Sequence, residues 1–136
     1  MPINTYQNCI EACNACAEAC DSCAAACLNE PDAALLERCI ALDADCAQLC
    51  RTTAGFLARG GEFAHALCKL CAELCESCGL EGIRHQHRHC RDCAAACERA
   101  AQACRDVLGA QAGADTISAG AGLHPTQAAN QYLSIS

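Results

Sequence analysis

The sequence predicts an all-α protein, an antiparallel up-down-up-down four-helix bundle with a Cys-lined core, followed by a C-terminal tail. Three observations carry that prediction. Seventeen of 136 residues are cysteine, and most are spaced by alternating threes and fours, the repeat of one helix face. Between them lie Ala, Glu, Gln, Leu and Arg, mostly good helix formers. Pro and Gly then divide the chain into four stretches of similar length.

The first stretch carries Cys9, Cys13, Cys16, Cys20, Cys23 and Cys27. Asn4 or Thr5 can cap it, and it is expected to run to about Leu28. Asn29-Glu30-Pro31-Asp32 reads as a turn, with Asp32 as a possible cap for the next helix. That second helix holds Cys39, Cys46 and Cys50 and fades toward Arg59, before Gly60-Gly61. The third, about residues 62–80, carries Cys68, Cys71, Cys75 and Cys78 and ends around Gly79 and Gly82. The fourth, about residues 86–108, carries Cys90, Cys93, Cys97 and Cys104 and is stopped by Gly109. Four helices on short loops form one bundle, so residues 1–109 are read as a single domain. Residues 110–136 are linker-like at first, and Pro125–Leu133 suits one short helix with His124 near its start. Ile117, Leu123, Tyr132, Leu133 and Ile135 would either dock on a bundle groove or a neighbouring subunit, or remain disordered.

Composition excludes several classes. The chain has no Trp, one Met, two Phe and two Tyr, so cysteine supplies much of its 53% hydrophobic content. A net charge of −7, with both signs mixed along the chain, argues against a nucleic-acid surface. No run of about 18 apolar residues suggests a membrane span. The first residues lack the basic and apolar regions of a secretory signal, so a cytoplasmic location is expected. There thiols stay reduced, and cysteine clusters more often bind metal than cross-link.

The pattern narrows the metal. From Cys9 to Cys27 a helix rises about 27 Å, with successive cysteines close enough for two sulfurs to flank one ion. A continuous stripe suits copper(I), which is soft, prefers thiolate and accepts low coordination numbers. If each thiolate bridges two ions and each ion takes two thiolates, the buried column is neutral, which answers the cost of burying charge. On the order of one Cu(I) per cysteine then follows. Zinc prefers closed sets of four, and the loop motif of an iron–sulfur ferredoxin is missing. Neighbouring helical cysteines also point side by side, which disfavours disulfides.

Non-cysteine ligands are expected at one end. His85, His87 and His89 precede the fourth stripe, and His87, three before Cys90, would face the core if the helix begins early. Antiparallel threading puts them beside Cys27, Cys39 and Cys78, where imidazole could form a mouth for ions. Asp43 stands four after Cys39 and three before Cys46, as a ligand, a partner for a histidine or a guide for ions, unless Leu42 faces inward instead. His65 belongs to the opposite end, as a surface or end-plug residue.

The runs Cys9-x3-Cys13-x2-Cys16-x3-Cys20-x2-Cys23-x3-Cys27, Cys39-x3-Asp43-x2-Cys46-x3-Cys50, Cys68-x2-Cys71-x3-Cys75-x2-Cys78 and His85-x-His87-x-His89-Cys90-x2-Cys93-x3-Cys97 resemble the bacterial copper storage proteins of the cytosolic type. The resemblance covers about residues 6–108. It implies a homo-oligomer, a tetramer of bundles, in which each chain loads many Cu(I) ions and holds them tightly, without catalysis. Exported members carry a signal peptide. Two cysteines that such sequences often carry are replaced here by Gly82 and Ala100. A copper chaperone, which needs one accessible pair of thiols, and a zinc or general thiol-binding module are the rival functions. A redox enzyme built on the histidines is a further class, although no nucleophile–base pair is visible.

Overall fold

In the computed structural model the backbone is described for residues 2–119 and the side chains for residues 5–110. The described residues form four helices, α1 (Pro2–Leu28), α2 (Glu37–Arg59), α3 (Ala64–Gly82) and α4 (Arg88–Ala119), with one turn of 3-10 helix at Ala33–Leu36 before α2. Contacts run around a ring, α1 with α2, α2 with α3, α3 with α4 and α4 with α1. Cys9 meets Cys104 while Cys27 meets Cys90, so α1 and α4 run in opposite directions. This is the up-down-up-down bundle that short loops favour. No described helix is long and apolar enough to cross a membrane.

All seventeen cysteines are buried and free. They form the core together with alanines, and among the described residues only Leu36, Leu57 and Val107 add larger apolar side chains that are almost wholly enclosed. Free cysteine packs as a small hydrophobe, so the helices can close without a bulky core. At the far end of the bundle each seam changes character. Cys50 is followed along α2 by buried Thr53 and Leu57, Cys68 is preceded on α3 by Ala64, and Cys104 is followed on α4 by Val107.

Element boundaries depart from the sequence reading in instructive ways. Helix α1 begins at Pro2, a residue suited to a first turn because its missing N–H needs no partner there. Asn4 and Thr5 therefore lie within the helix and do not cap it. Asp32 precedes the 3-10 turn without a side-chain cap bond; its carboxylate is engaged elsewhere. Helices α3 and α4 each start two residues later than expected. Gly60 ends α2 at φ 66°, a left-handed conformation that glycine adopts without a Cβ penalty. Its N–H reaches the Leu57 carbonyl and the Gly61 N–H reaches Phe56, which satisfies the last turn.

The largest correction concerns Gly109, which does not stop α4. The helix continues through it to Ala119. A glycine inside a helix costs about 1 kcal/mol relative to alanine, and the alanine-rich sequence around it sustains the turn. The short helix expected at Pro125–Leu133, His124, and the docking of Ile117, Leu123, Tyr132, Leu133 and Ile135 lie outside the described residues.

Candidate metal centre

Every cysteine seam turns toward the bundle axis, because residues three and four apart share one helix face. The thiols form a chain of overlapping sets whose ligand atoms lie within 4.8 Å of one another. At the α1 N-terminal end stand Cys9, Cys13 and Cys104, with Cys68 beside Cys9 and Cys104. Cys71 lies 3.7 Å from Cys50 and 3.8 Å from Cys75, leading to the set Cys16, Cys46, Cys50 and Cys75. Next come Cys16, Cys20, Cys46 and Cys97, and then Cys20, Cys78, Cys93 and Cys97. Cys23, Cys27, Cys39 and Cys90 close the column. Neighbouring sets in the middle share members, Cys16 and Cys46 in one case, Cys20 and Cys97 in the next. They are not separable quartets.

Sulfur separations decide what can bridge them. The closest pairs stand from 3.5 Å (Cys93 to Cys20) to 4.0 Å (Cys9 to Cys13) apart, far beyond a disulfide bond of about 2.05 Å, and the other pairs of each set lie within 4.8 Å. With metal–thiolate bonds of about 2.3 Å, a tetrahedral set spaces its sulfurs by about 3.8 Å, a trigonal set by about 4.0 Å and a linear pair by about 4.6 Å. The resting column therefore matches three- and four-sulfur sets. A linear bridge requires one of these closest pairs to part by more than half an ångström.

Asp43 faces the column, and Leu42 is only partly buried at its flank. Its Oδ1 lies 3.2 Å from the Cys78 sulfur and 3.4 Å from the Cys93 sulfur, and its Oδ2 lies 3.9 Å from the Cys39 sulfur. Burial, reinforced by negative charge at Cys93 and Cys78, pushes its carboxyl up to about 10. The thiols around it move the other way. A hydrogen bond from Cys20 brings Cys78 down to about 5, bonds from Cys20 and Cys23 bring Cys93 down to about 4, and one from Cys23 brings Cys39 down to about 7. Deeper in the column Cys16 is lowered by its bonds from Cys20 and Cys46, whereas Cys20 and Cys97 are raised, foremost by Cys16. One thiolate is stabilised by donors around it, and its charge then holds those donors protonated. Only added cations allow all of them to ionise together.

The three histidines divide their tasks. Helix α4 begins at Arg88, so His87 lies outside it and does not face the thiols as the three-residue spacing suggested. His89, in the first turn, does. Its Nδ1 is 3.6 Å from Cys23, 3.8 Å from Cys27 and 3.6 Å from Cys90, while its buried Nε2 has no hydrogen-bond partner. His87 instead sits between two carboxylates, with Nδ1 2.5 Å from Glu30 and Nε2 3.0 Å from Asp32, and its hydrogen bond holds Asp32 below the ordinary carboxylate range. The His87 and His89 rings stack at 5.2 Å and 7°. His85 donates from Nε2 to Glu81 at 2.7 Å. At the opposite end the Tyr6 hydroxyl and His65 Nε2 are 2.9 Å apart, as befits an end-plug residue.

Glu81 escaped the sequence reading. It is buried, and accepts from Arg38 at 2.8 Å and Arg84 at 3.3 Å as well as from His85. Burial raises its carboxyl, but His85 and Arg38 outweigh that and hold it below its ordinary value. The signal was present, since Glu81 lies three after Cys78 on the same seam. The partnership of His87 with Glu30 and Asp32 bridges two loops 55 residues apart and left no trace in local spacing.

Comparison with known proteins agrees with this geometry. The family model described as copper storage protein matches residues 3–109. A cysteine-rich Bacillus subtilis protein, YhjQ, is 41% identical over 99 residues, which is 73% of this chain and 92% of that one. A cytosolic copper storage protein from Streptomyces lividans, solved with five coppers, superposes with a TM-score of 0.77 at 43% identity, covering 79% of this chain and 95% of that chain. The Cu(I)-bound copper storage protein BsCsp3 gives 0.73 at 40% identity, covering 76% of this chain and 97% of its own. With four cysteine-bearing helices around one axis and a family match across nearly the whole bundle, the chain belongs to the copper storage protein family.

Proposed function

We propose that this chain stores and buffers Cu(I) in the cytosol, binding many ions per chain along the thiol column and catalysing no reaction. The ligands are Cys9, Cys13, Cys16, Cys20, Cys23, Cys27, Cys39, Cys46, Cys50, Cys68, Cys71, Cys75, Cys78, Cys90, Cys93, Cys97 and Cys104, with His89 at the mouth. His85 and His87 line that mouth, and Asp43 stands beside the column as a proton-bearing neighbour of Cys78 and Cys93. Residues 1–109 are the storage unit. The observation that carries this reading is that all seventeen thiols are buried in one contiguous column whose middle sets share members.

Shared sulfurs favour a monovalent ion. Each thiolate can bridge two Cu(I) ions, and equal numbers of Cu⁺ and S⁻ leave the interior neutral, whereas an uncompensated buried charge is very costly. Zinc reaches its usual stability in closed tetrahedral sets, which overlapping membership denies it. Loading expels thiol protons, so uptake strengthens as pH rises. By family resemblance the bundles assemble as a homotetramer. Leu35, Leu70, Leu80 and Ile83, exposed on the single chain, offer apolar surface for that assembly.

Anaerobic titration of the reduced protein with Cu(I) against a strong competing chelator tests the proposal. Saturation above about ten ions per chain is expected from one ion per bridging thiolate. Saturation near one ion would mean a chaperone, turnover with oxygen an enzyme, and displacement of Cu(I) by zinc a zinc or thiol module.

A further inference from the structure

His89 lacks the support that a metal-binding histidine ordinarily has. Such a residue usually donates its second ring nitrogen to a carboxylate, carbonyl or water, which fixes the ring plane and tautomer. Here Nδ1 faces Cys23, Cys27 and Cys90, while the buried Nε2 has no carboxylate or carbonyl of the protein within hydrogen-bond reach. Stacking holds the ring instead, against His87 at 5.2 Å with planes 7° apart. His87 is itself fixed from both sides, by Glu30 at Nδ1 and by Asp32 at Nε2. Both carboxylates belong to the turn between α1 and the 3-10 segment, whereas His87 belongs to the α3–α4 loop. The clasp therefore ties together the two loops that close this end of the bundle.

We infer that Glu30 and Asp32 are positioning residues for copper uptake, clamping His87 so that its ring face sets the orientation of His89 toward the first thiols an ion meets. The orienting carboxylates are displaced one ring outward from their usual place, and act through a stacked imidazole. This rests on the storage reading above and adds to it a mechanism for the speed of loading, separate from capacity. The alternative role for two acidic residues at a mouth, attraction of cations by charge, makes different predictions.

Stopped-flow uptake of the first Cu(I) equivalents by the full chain separates the two roles, with the titration endpoint recorded for each variant. E30A/D32A should load about tenfold more slowly, the lower end of what loss of an orienting partner costs a metal site, with its endpoint unchanged. E30Q/D32N should keep most of the wild-type rate, because an amide can accept from one ring nitrogen and donate to the other. H87A should be as slow as E30A/D32A, and E30A/D32A/H87A no slower than H87A, since groups acting through one residue are not additive. Imidazole 1H–15N spectra of the copper-free protein give a second readout, in which the His89 signals move in E30A/D32A and stay near wild type in E30Q/D32N. A Gln/Asn pair as slow as the Ala pair, a further slowing in the H87A background, or unmoved His89 signals in E30A/D32A would each overturn the inference. A wild-type endpoint near one ion would instead sink the storage reading and leave the spectra to decide this one.

Discussion

Asp43 occupies a position on the α2 seam where a thiol would continue the column, and its carboxyl is wrapped by Cys39, Cys78 and Cys93. In the unfolded chain that carboxyl titrates near 3.8, and in the fold at about 10. Between these values the folded form binds the extra proton, so its contribution to stability falls as pH rises from about 4 toward 10. Below about 4 both forms are protonated and the penalty vanishes. The reduced copper-free D43N variant is thus expected to gain on wild type as pH increases. Urea unfolding at pH 5 and pH 9 checks this, and a gap between the two proteins that does not widen at pH 9 would contradict it. The inward orientation of Asp43 was half legible in the sequence. Steps of four from Cys39 and three to Cys46 placed it on the seam, but Leu42 competed for the same face until packing decided between them. His89 shows the opposite limit. Spacing pointed to His87, and only the start of α4 at Arg88, a boundary that local patterns define within a residue or two, gave the inward place to its neighbour.

Among the elements, α3 and α4 approach closely where Gly82 passes Cys90. A Cβ built on Gly82 would lie 2.7 Å from the Cys90 carbonyl oxygen and 3.1 Å from the Ala94 Cβ. The contact is with backbone, so the helices must move apart to admit any side chain, including the cysteine that the resemblance led us to expect there. We expect G82A to destabilise the copper-free protein by about 1–3 kcal/mol, the usual cost of overpacking. Thermal unfolding measures it, and an unchanged midpoint would show that the helices yield freely. Ala100, the second departure, is fully buried on its seam and occupies the thiol's place with a methyl group. The four helices and their inward faces were readable from alternating threes and fours, since nothing but a helix puts such positions on one side. The ends were less readable. Gly109 is a strong stop signal by composition, yet α4 runs through it and through Gly113, because each glycine costs a helix only about 1 kcal/mol relative to alanine.

At the scale of the whole molecule, folding and loading are linked. The copper-free core consists of thiols and methyl groups, with few large apolar side chains, and its ionisation is frustrated by mutual proximity. Cu(I) relieves that frustration and finds the thiols gathered only where the four seams are assembled, so it stabilises the native state to the extent that it binds there more tightly than to the unfolded chain. Each tightly held ion adds about 4 kcal/mol at a free concentration a thousandfold above its Kd. The loaded protein should therefore unfold at a much higher temperature than the reduced copper-free form, and a competing chelator should return the midpoint to the copper-free value. Calorimetry under anaerobic conditions reads both, and equal midpoints with and without metal would mean that ions bind outside the core. The mouth was the least legible feature at this scale. Glu30, Asp32, His87 and Glu81 with Arg38 join segments remote in sequence, and such contacts follow from the fold and not from any periodicity.

The claim on which all of this depends is that ions lie inside the bundle, along the shared sulfurs. Anomalous diffraction from crystals loaded with Cu(I) locates them directly. We expect a row of copper sites along the axis, from the set around Cys9, Cys13 and Cys104 to the set around Cys23, Cys27, Cys39 and Cys90, with His89 on the last. A single site, or copper scattered over the outer faces with the thiol column left empty, would contradict the account.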